Sequence, residues 1–458
     1  MTKDLTHGSP AKLIFFFTIP LLIGNLFQQF YSMADTLIVG RTLGVKALAA
    51  VGCTGGISFL ILGFAQGVTA GLSIITAQRF GAGDDDGVRR SFTTSILVSA
   101  ITTVVLTAVS VPLTHNILRW LDTPAEIEEQ AYSYIVVILI GIFASMLFNL
   151  LSNVLRALGD SRTPLIFLII ACLINIVLDF VCILVFHMGT AGAGFATVLA
   201  QVISCLCCLW FIAKKFPILH LHRADWRITA QDISAHSRIA FPMGFQSSII
   251  AIGTLILQVA LNGLGSNAVA AYTAASKVDQ LAIMGMMSFG MTMATYTAQN
   301  YGAGKFDRIR KGVKQCLLIS VALSVIMAFV NIVFGKYLVN LFVEDASSVI
   351  GLAQVYLVIN SSCYFILAVL FVIRYTLQGL GKSFVPTLAG VMELIMRSIA
   401  ALLLVAPFGF AGVSSANPLA WLGSAVPLCI AYVFILRRMP AGDTPPAEEA
   451  PLPDCVQK

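Results

Sequence analysis

Apolar runs long enough to cross a bilayer recur from one end of this chain to the other, and that recurrence decides the fold class. A spanning helix needs about 20 apolar residues. Hydrocarbon offers the backbone no solvent partner, so each run must pair its own N–H and C=O groups as a helix. Twelve such segments, bounded by Gly, Pro or charge clusters, lie at approximately 13–40, 47–78, 92–113, 131–157, 164–186, 191–213, 236–261, 268–299, 313–335, 349–378, 385–406 and 411–436. Charged residues make up 11% of the 458 positions and hydrophobic ones 58%. Soluble proteins carry about 25% charged residues, so this composition cannot cover a water-exposed surface. The reading is an all-α integral membrane protein with twelve transmembrane helices. Soluble enzymes, nucleic-acid binders and secreted disulfide scaffolds are excluded. The first apolar run has no small-residue cleavage site and reads as the first span rather than a removable signal. Segments 2, 8 and 10 exceed the membrane thickness, which predicts tilt or extension beyond the bilayer.

The chain also repeats itself. TAQRFGAG at 76–83 returns as TAQNYGAG at 297–304, and LGDSRTP at 158–164 returns as LGKSFVP at 380–386. Gly189, Ala191 and Gly192 reappear as Gly409, Ala411 and Gly412, and Pro20 is matched by Pro242. This constant register marks a duplicated six-helix unit. An even number of spans per copy makes the two repeats parallel. The expected organisation is a six-helix bundle over 1–213, a basic cytoplasmic linker over 214–235, a second bundle over 236–437 and a disordered tail over 438–458. With twelve spans, one side carries 22 of the 28 basic residues, while the other has Arg41, Lys46, Arg119 and Lys336. The bias of Lys and Arg toward cytoplasmic loops places both termini in the cytoplasm. The net charge of +6 reflects that bias and does not indicate nucleic acid.

Ionisable residues inside apolar segments are costly and are functional candidates by default. Asp35, Asp179, Lys277, Glu393 and Arg397 lie well inside, and Asp279 lies close to that set. Asn175 precedes Asp179 by four residues, so both share one helix face. A rise of about 1.5 Å per residue puts Asp179 about 10 Å, Asp35 about 8 Å and Thr197 about 9 Å below the outer ends of their segments. Four oxygen-bearing side chains from three helices are therefore expected at one level. Carboxylate, amide and hydroxyl oxygens suit a hard cation, and two carboxylates in a low-dielectric site can equally hold a proton. The alternative is that each acid only hydrogen-bonds within its bundle. Glu393 and Arg397, at i and i+4 with the acid first, are expected to form a structural ion pair. Lys277 and Asp279 are two apart and cannot face the same way.

Other motifs resolve into structural roles. GLGKS at 379–383 ends like a phosphate-binding loop, but Thr376 stands where the first glycine is required. Asp84, Asp85 and Asp86 have Lys305, Phe306 and Asp307 as counterparts in the second half, so the cluster is not repeated and reads as a solvated loop capping the third helix. The ten cysteines contain no C-x-x-C pair and read as small apolar packing residues. His220 and His222 could share a metal, but a solvated basic loop fits them better.

DTLIVGRTLG after the first segment, the two QxxGAG loops, RALGDSRTP and NIVLDF resemble the multidrug and toxic compound extrusion (MATE) transporters. The likeness covers roughly residues 10–437. It implies two six-helix bundles forming a V around a central cavity that opens alternately to the cytoplasm and the exterior. It also implies export of amphipathic, often cationic drugs in exchange for an external coupling ion, H+ and/or Na+, with no other cofactor. By matching position, the resemblance assigns the cation site to Asp35, Asn175, Asp179 and Thr197, and Gln246, Lys277, Met284 and Met287 become candidates for lining the substrate cavity. Some relatives carry further acids in helices 7 and 10. Here helix 7 offers only Gln246 and Gln258, and helix 10 has no acid, which favours the DinF- and MepA-like branch. The implied partners are small-molecule drugs or toxic organic cations and membrane lipid, with no nucleic acid. The implied state is a monomer in the plasma membrane. A lipid-linked-precursor flippase can share this architecture, but should line its cavity with several cationic residues, and only Lys277 and Arg397 qualify. An intramembrane enzyme would need paired carboxylates or histidines at a cytoplasmic interface, and the one acidic cluster there is not repeated.

Overall fold

The computed structural model describes residues 4–120, 123–340, 347–440 and 442–443. Its fifteen α-helices are α1 (Pro10–Leu43), α2 (Val45–Cys53), α3 (Gly55–Gly81), α4 (Asp85–Trp120), α5 (Ala125–Ile140), α6 (Ile142–Ala157), α7 (Arg162–Phe180), α8 (Gly189–Lys215), α9 (Ala230–Asn262), α10 (Ser266–Gly302), α11 (Phe306–Asn340), α12 (Ser347–Ser361), α13 (Tyr364–Gly379), α14 (Phe384–Leu403) and α15 (Val405–Arg438). There is no strand among the described residues. Among the same residues, nine helices are long and apolar enough to cross a membrane, and eleven spans result if two bent pairs count as one each. The pairs are α5 with α6, bent by 47°, and α12 with α13, bent by 50°. The remaining expected segment is α10, 37 residues long but rich in polar and small side chains. Large apolar side chains such as Phe16, Phe30, Val104, Leu173 and Trp210 stand exposed on helix surfaces, as lipid-facing residues do.

Breaks in the helices sit where the sequence permits them. Segments 2 and 10, expected to tilt or overhang, are instead each divided in two, at Thr54 and at residues 362–363. A break shortens a long run without exposing backbone when neighbouring helices satisfy the freed groups. The four repeat loops close their helices in one way. Gly83, Gly159, Gly304 and Gly381 all have positive φ (73°, 82°, 67° and 76°). Around each, the next residue's N–H bonds five residues back and the glycine N–H three back. Asp84 N bonds Arg79 O (3.1 Å) with Gly83 N on Phe80 O (3.1 Å), and Lys382 N bonds Leu377 O (2.9 Å) with Gly381 N on Gln378 O (2.8 Å). That is the glycine-dependent C-terminal cap of an α-helix, and it accounts for GLGKS. Asp84 in turn accepts the Gly87 N–H (2.7 Å) and pairs with Arg79 (3.1 Å), the capping role expected of the acidic loop.

The chain forms two compact units, and their boundaries differ from the expected 1–213 and 236–437. One unit holds Ile23–Ser248, and the other joins Leu5–Leu22 to the chain from Ile249 onward. Each unit thus takes the first half of the other repeat's leading helix. In the second unit, Leu5 N–H bonds Gln299 Oε1 (2.9 Å), Thr18 and Thr292 hydroxyls bond each other (2.7 Å), and Arg308 Nη2 donates to Leu5 O (3.1 Å). In the first, small residues of α3 admit the α9 backbone. A Cβ at Gly71 would sit 2.5 Å from Ala240 Cα, the close approach that glycine permits between membrane helices. The expected linker is likewise folded onto the first unit: Phe216 and Leu219 are buried in its core, and Thr93 Oγ1 donates to Asp225 O (2.7 Å). Residues 444–458 of the expected tail lie outside the described residues.

The Glu393–Arg397 pair is present in the second unit at 3.1 Å, but it is part of a triad. Arg374 of α13 donates to the other Glu393 oxygen at 2.8 Å and to Ser424 Oγ at 3.0 Å. All three side chains are buried. Removing the one acid strands two buried guanidinium groups, and breaking a buried pair costs about 3–5 kcal/mol. Glu393→Gln is therefore expected to lower the yield and thermal midpoint of monodisperse protein while sparing transport per folded molecule. Transport lost at normal yield would place Glu393 in the transport pathway instead.

Candidate functional site

The candidate site forms within the first unit, near the end of α7. Asp160, two residues before that helix, accepts the N–H groups of Arg162 and Thr163 (both 3.0 Å), pairing two of the donors that a helix start leaves free. Asn175 and Asp179, one turn apart, are both fully buried. Immediately after, the helix widens into a π turn over Val181–Val185. Such turns shift the register of the following face and recur at functional sites.

Three helices supply the cluster. Asp35 comes from α1, Asn175 and Asp179 from α7, and Thr197 from α8. The Asn175 amide is satisfied when its NH2 donates to Asp179 Oδ2 (3.1 Å) and its oxygen accepts from the Thr197 backbone N–H (3.2 Å). Thr197 Oγ1 donates to Ala193 O one turn back (3.1 Å) and accepts from Tyr31 Oη (3.4 Å). The Asp35 and Asp179 carboxyls lie against one another within hydrogen-bonding contact. Asp35 Oδ1 is buried without a hydrogen-bond partner among the described residues. Neither acid has an ion-pair partner among the described residues. The residues expected to meet at one level do meet, through side chains of three neighbouring helices. Two carboxyls, an amide and two hydroxyls around one point offer oxygen ligands for a hard cation or a shared place for a proton.

Tyr31 and Tyr134 belong to the same cluster, and sequence reasoning passed over both. Tyr31 stands one turn before Asp35 on α1, a spacing that could have flagged it. Tyr134 of α5 lies within electrostatic reach of Asp35, Tyr31 and Asp179, and only the tertiary fold brings it there. The candidate cavity residues are divided between the units. Gln246 is buried in the first, while Lys277 is exposed, Met284 buried and Met287 half-buried in the second. Gln258 is half-buried and bonds Asn262 (2.8 Å).

The MatE family model matches residues 20–181 and matches again over 242–403. The chain belongs to the MatE family. As a MatE protein it is a membrane transporter and not an enzyme. Its two family matches fall in the register of the sequence repeat. The MatE chain is 29% identical over 348 residues to the probable multidrug resistance protein YpnP of Bacillus subtilis, covering 76% of this chain and 77% of that protein. It is 21% identical to the multidrug export protein MepA of Staphylococcus saprophyticus over 89% of this chain and 90% of that one. It is also 24% identical to an FAD transporter of Shewanella oneidensis over 73% and 75% of the respective chains. A solved outward-facing MATE-family transporter superposes with a TM-score of 0.89 at 22% identity, covering 96% of this chain and 98% of that one. That likeness concerns the fold.

Within this MatE site, Asn175 is the residue that ties α7 to α8. Asn175→Leu leaves Asp179 Oδ2 without its amide partner, and an unsatisfied buried polar group costs about 1–3 kcal/mol. A clear fall in thermal midpoint is expected. Tyr31→Phe removes only the long 3.4 Å bond and should shift the midpoint far less. Equal midpoints for Asn175→Leu and the parent chain would show that the amide is not holding the cluster.

Proposed function

We propose that this protein is a secondary active multidrug efflux transporter. It exchanges external H+ or Na+ for amphipathic, often cationic drugs by alternating access, with both termini on the cytoplasmic side of the plasma membrane. The observation that carries this reading is the pair of buried carboxyls, Asp35 and Asp179, in mutual contact with no basic partner among the described residues. Two carboxyls in hydrogen-bonding contact need one proton between them. A pair of this kind can hold a proton between the two acids. Na+ would draw on the same oxygens, with Asn175 and Thr197 completing the set.

Exchange follows from differential affinity. A ligand shifts a conformational equilibrium only as far as its affinities for the two states differ. Uptake of the external cation at Asp35 and Asp179 neutralises buried charge and changes the packing of α1 against α7 and α8. Drug binding is weakened in the cation-loaded state, so the drug leaves on the outside. In this reading Gln246, Lys277, Met284 and Met287 line the drug's path. The relatives named as multidrug resistance and export proteins support the substrate class. The protein acts as a monomer, since each chain holds a full carboxyl pair.

A second reading is favoured by one observation. A relative named as an FAD transporter makes phosphate-bearing substrates, including lipid-linked precursors handled by a flippase of this architecture, the competing class. Vesicles containing the purified chain decide between them when sodium and pH gradients are imposed independently, with a cationic dye and a nucleotide cofactor offered in turn. Dye efflux driven by one inward gradient is expected. Asp179→Asn keeps the side-chain shape but removes the charge, so gradient-driven efflux should fall about tenfold or more while dye still binds. Asp35→Asn should behave alike, and the double variant should be little worse, since the two act as a unit. Thr197→Ala should be milder. Wild-type pumping by Asp179→Asn, or transport of the nucleotide alone, would contradict the proposal.

A further inference from the structure

The second unit buries a carboxylate that the mechanism above does not use. Asp279 of α10 is 2% exposed, yet it has no ion-pair partner among the described residues. Its two oxygens are taken by two tyrosines on opposite sides of a helix break. Tyr356 of α12 donates to Oδ2 at 2.9 Å, and Tyr364 of α13 donates to Oδ1. The 50° bend between α12 and α13 falls between them. Each tyrosine oxygen also receives an amide N–H. Asn417 Nδ2 of α15 donates to Tyr356 Oη at 3.3 Å, and Asn331 Nδ2 of α11 donates to Tyr364 Oη at 2.8 Å. Two amide-to-tyrosine chains thus converge on one carboxylate, every hydrogen directed toward it. This is the bonding pattern of an anion.

The same network leaves a place for the other protonation state. Ser361 Oγ, at the last residue of α12, is buried and has no hydrogen-bond partner among the described residues, although it lies beside the Tyr364 hydroxyl. An unsatisfied buried polar atom in a native structure calls for a reason. If a proton adds to Asp279 Oδ1, the new O–H needs an acceptor, and the facing atom is Tyr364 Oη. The Tyr364 hydroxyl hydrogen then turns to Ser361 Oγ, and the bond from Asn331 is kept. The acid gains one O–H bond, no other covalent bond changes, and the orphaned serine oxygen acquires a donor. Protonation thus leaves every one of these atoms bonded, and the two states differ in whether Tyr364 is tied to α10 or to the end of α12.

We propose that Asp279 is a second proton-binding site, independent of Asp35 and Asp179, whose occupancy switches Tyr364 between Asp279 and Ser361 across the α12–α13 break. The other groups that face it are few. On α10 itself Tyr272 packs edge-on against Tyr356, with ring centroids 5.1 Å apart, and Lys277 is exposed. From α14, Arg397 is within electrostatic reach of Tyr272 and is held by Glu393. The element α11 brings Asn331, and α15 brings Asn417 and Trp421, the latter 6.4 Å from the Tyr364 ring; none of these three titrates. The switch therefore rests on one acid and two phenols.

The test uses the full chain in lipid with Asp35→Asn and Asp179→Asn, so that the first site contributes nothing. Infrared difference spectra are recorded between mildly alkaline and mildly acidic buffer. A carboxylic-acid C=O band is expected to appear on acidification together with a change in a tyrosine C–OH band. Adding Asp279→Asn should abolish both. Adding Tyr364→Phe, which keeps the acid, should retain the carboxyl band and abolish the tyrosine change. An acid-minus-base spectrum that is the same with and without Asp279→Asn overturns the proposal. So does a tyrosine change that survives Tyr364→Phe, and this second arm decides the matter alone if Asp279→Asn fails to accumulate. Spin labels at exposed Val355 and Phe365, on either side of the break, should report a distance that shifts with pH in the parent and is constant in Tyr364→Phe. A shift of the same size in both overturns the switch.

Discussion

Hydrocarbon does not tolerate unpaired backbone polar groups, and nearly every feature of this chain follows from that prohibition. Apolar runs become helices, and the helices end only where a local device satisfies the last carbonyls. Four loops in repeat register use one glycine-dependent cap, seen at Gly83, Gly159, Gly304 and Gly381. The helices depart from regularity where neighbouring chain supplies replacement bonds. Two of those departures lie beside buried acids: the π turn follows Asp179, and the α12–α13 break is bridged by Asp279 through two tyrosines. Irregular backbone and buried charge are costly in a membrane for the same reason, and each is kept where the other's polar groups can serve it.

Much of the fold was legible in the sequence because apolar length and glycine placement are local properties. The spans, the repeat and the glycine caps depend on neighbours within a few residues. The exchange of leading half-helices between units was not legible, since Leu5–Leu22 and 236–248 have the same apolar character wherever they pack. Segments 2 and 10 were read as overlong, when their extra length is taken up by breaks at Thr54 and at residues 362–363. Length alone does not distinguish a tilted helix from a bent pair.

The site was legible to a similar depth. Asp35, Asn175, Asp179 and Thr197 could be placed at one level because helical rise converts sequence position into depth. Their actual bonding, with the Asn175 amide joining Asp179 to the Thr197 backbone, depends on rotation of each helix about its axis, which the sequence does not encode locally. Arg374 was missed because it lies near one end of its segment, where a basic residue looks like an interfacial one, yet it is buried against Glu393. Tyr134 carries no signal at all without the fold. Phenols in apolar runs are common, and only a carboxyl neighbour marks this one.

In the proposed exchange, cation occupancy of the Asp35–Asp179 pair opposes drug binding. This opposition is tested most directly by counting ions released when drug binds, in purified protein at fixed pH without any gradient. An amphipathic cationic dye added to the parent chain is expected to release protons or Na+ into a weakly buffered medium, in proportion to dye bound, whereas Asp179→Asn should bind dye with no release. Equal release from both would place the competition elsewhere in the molecule.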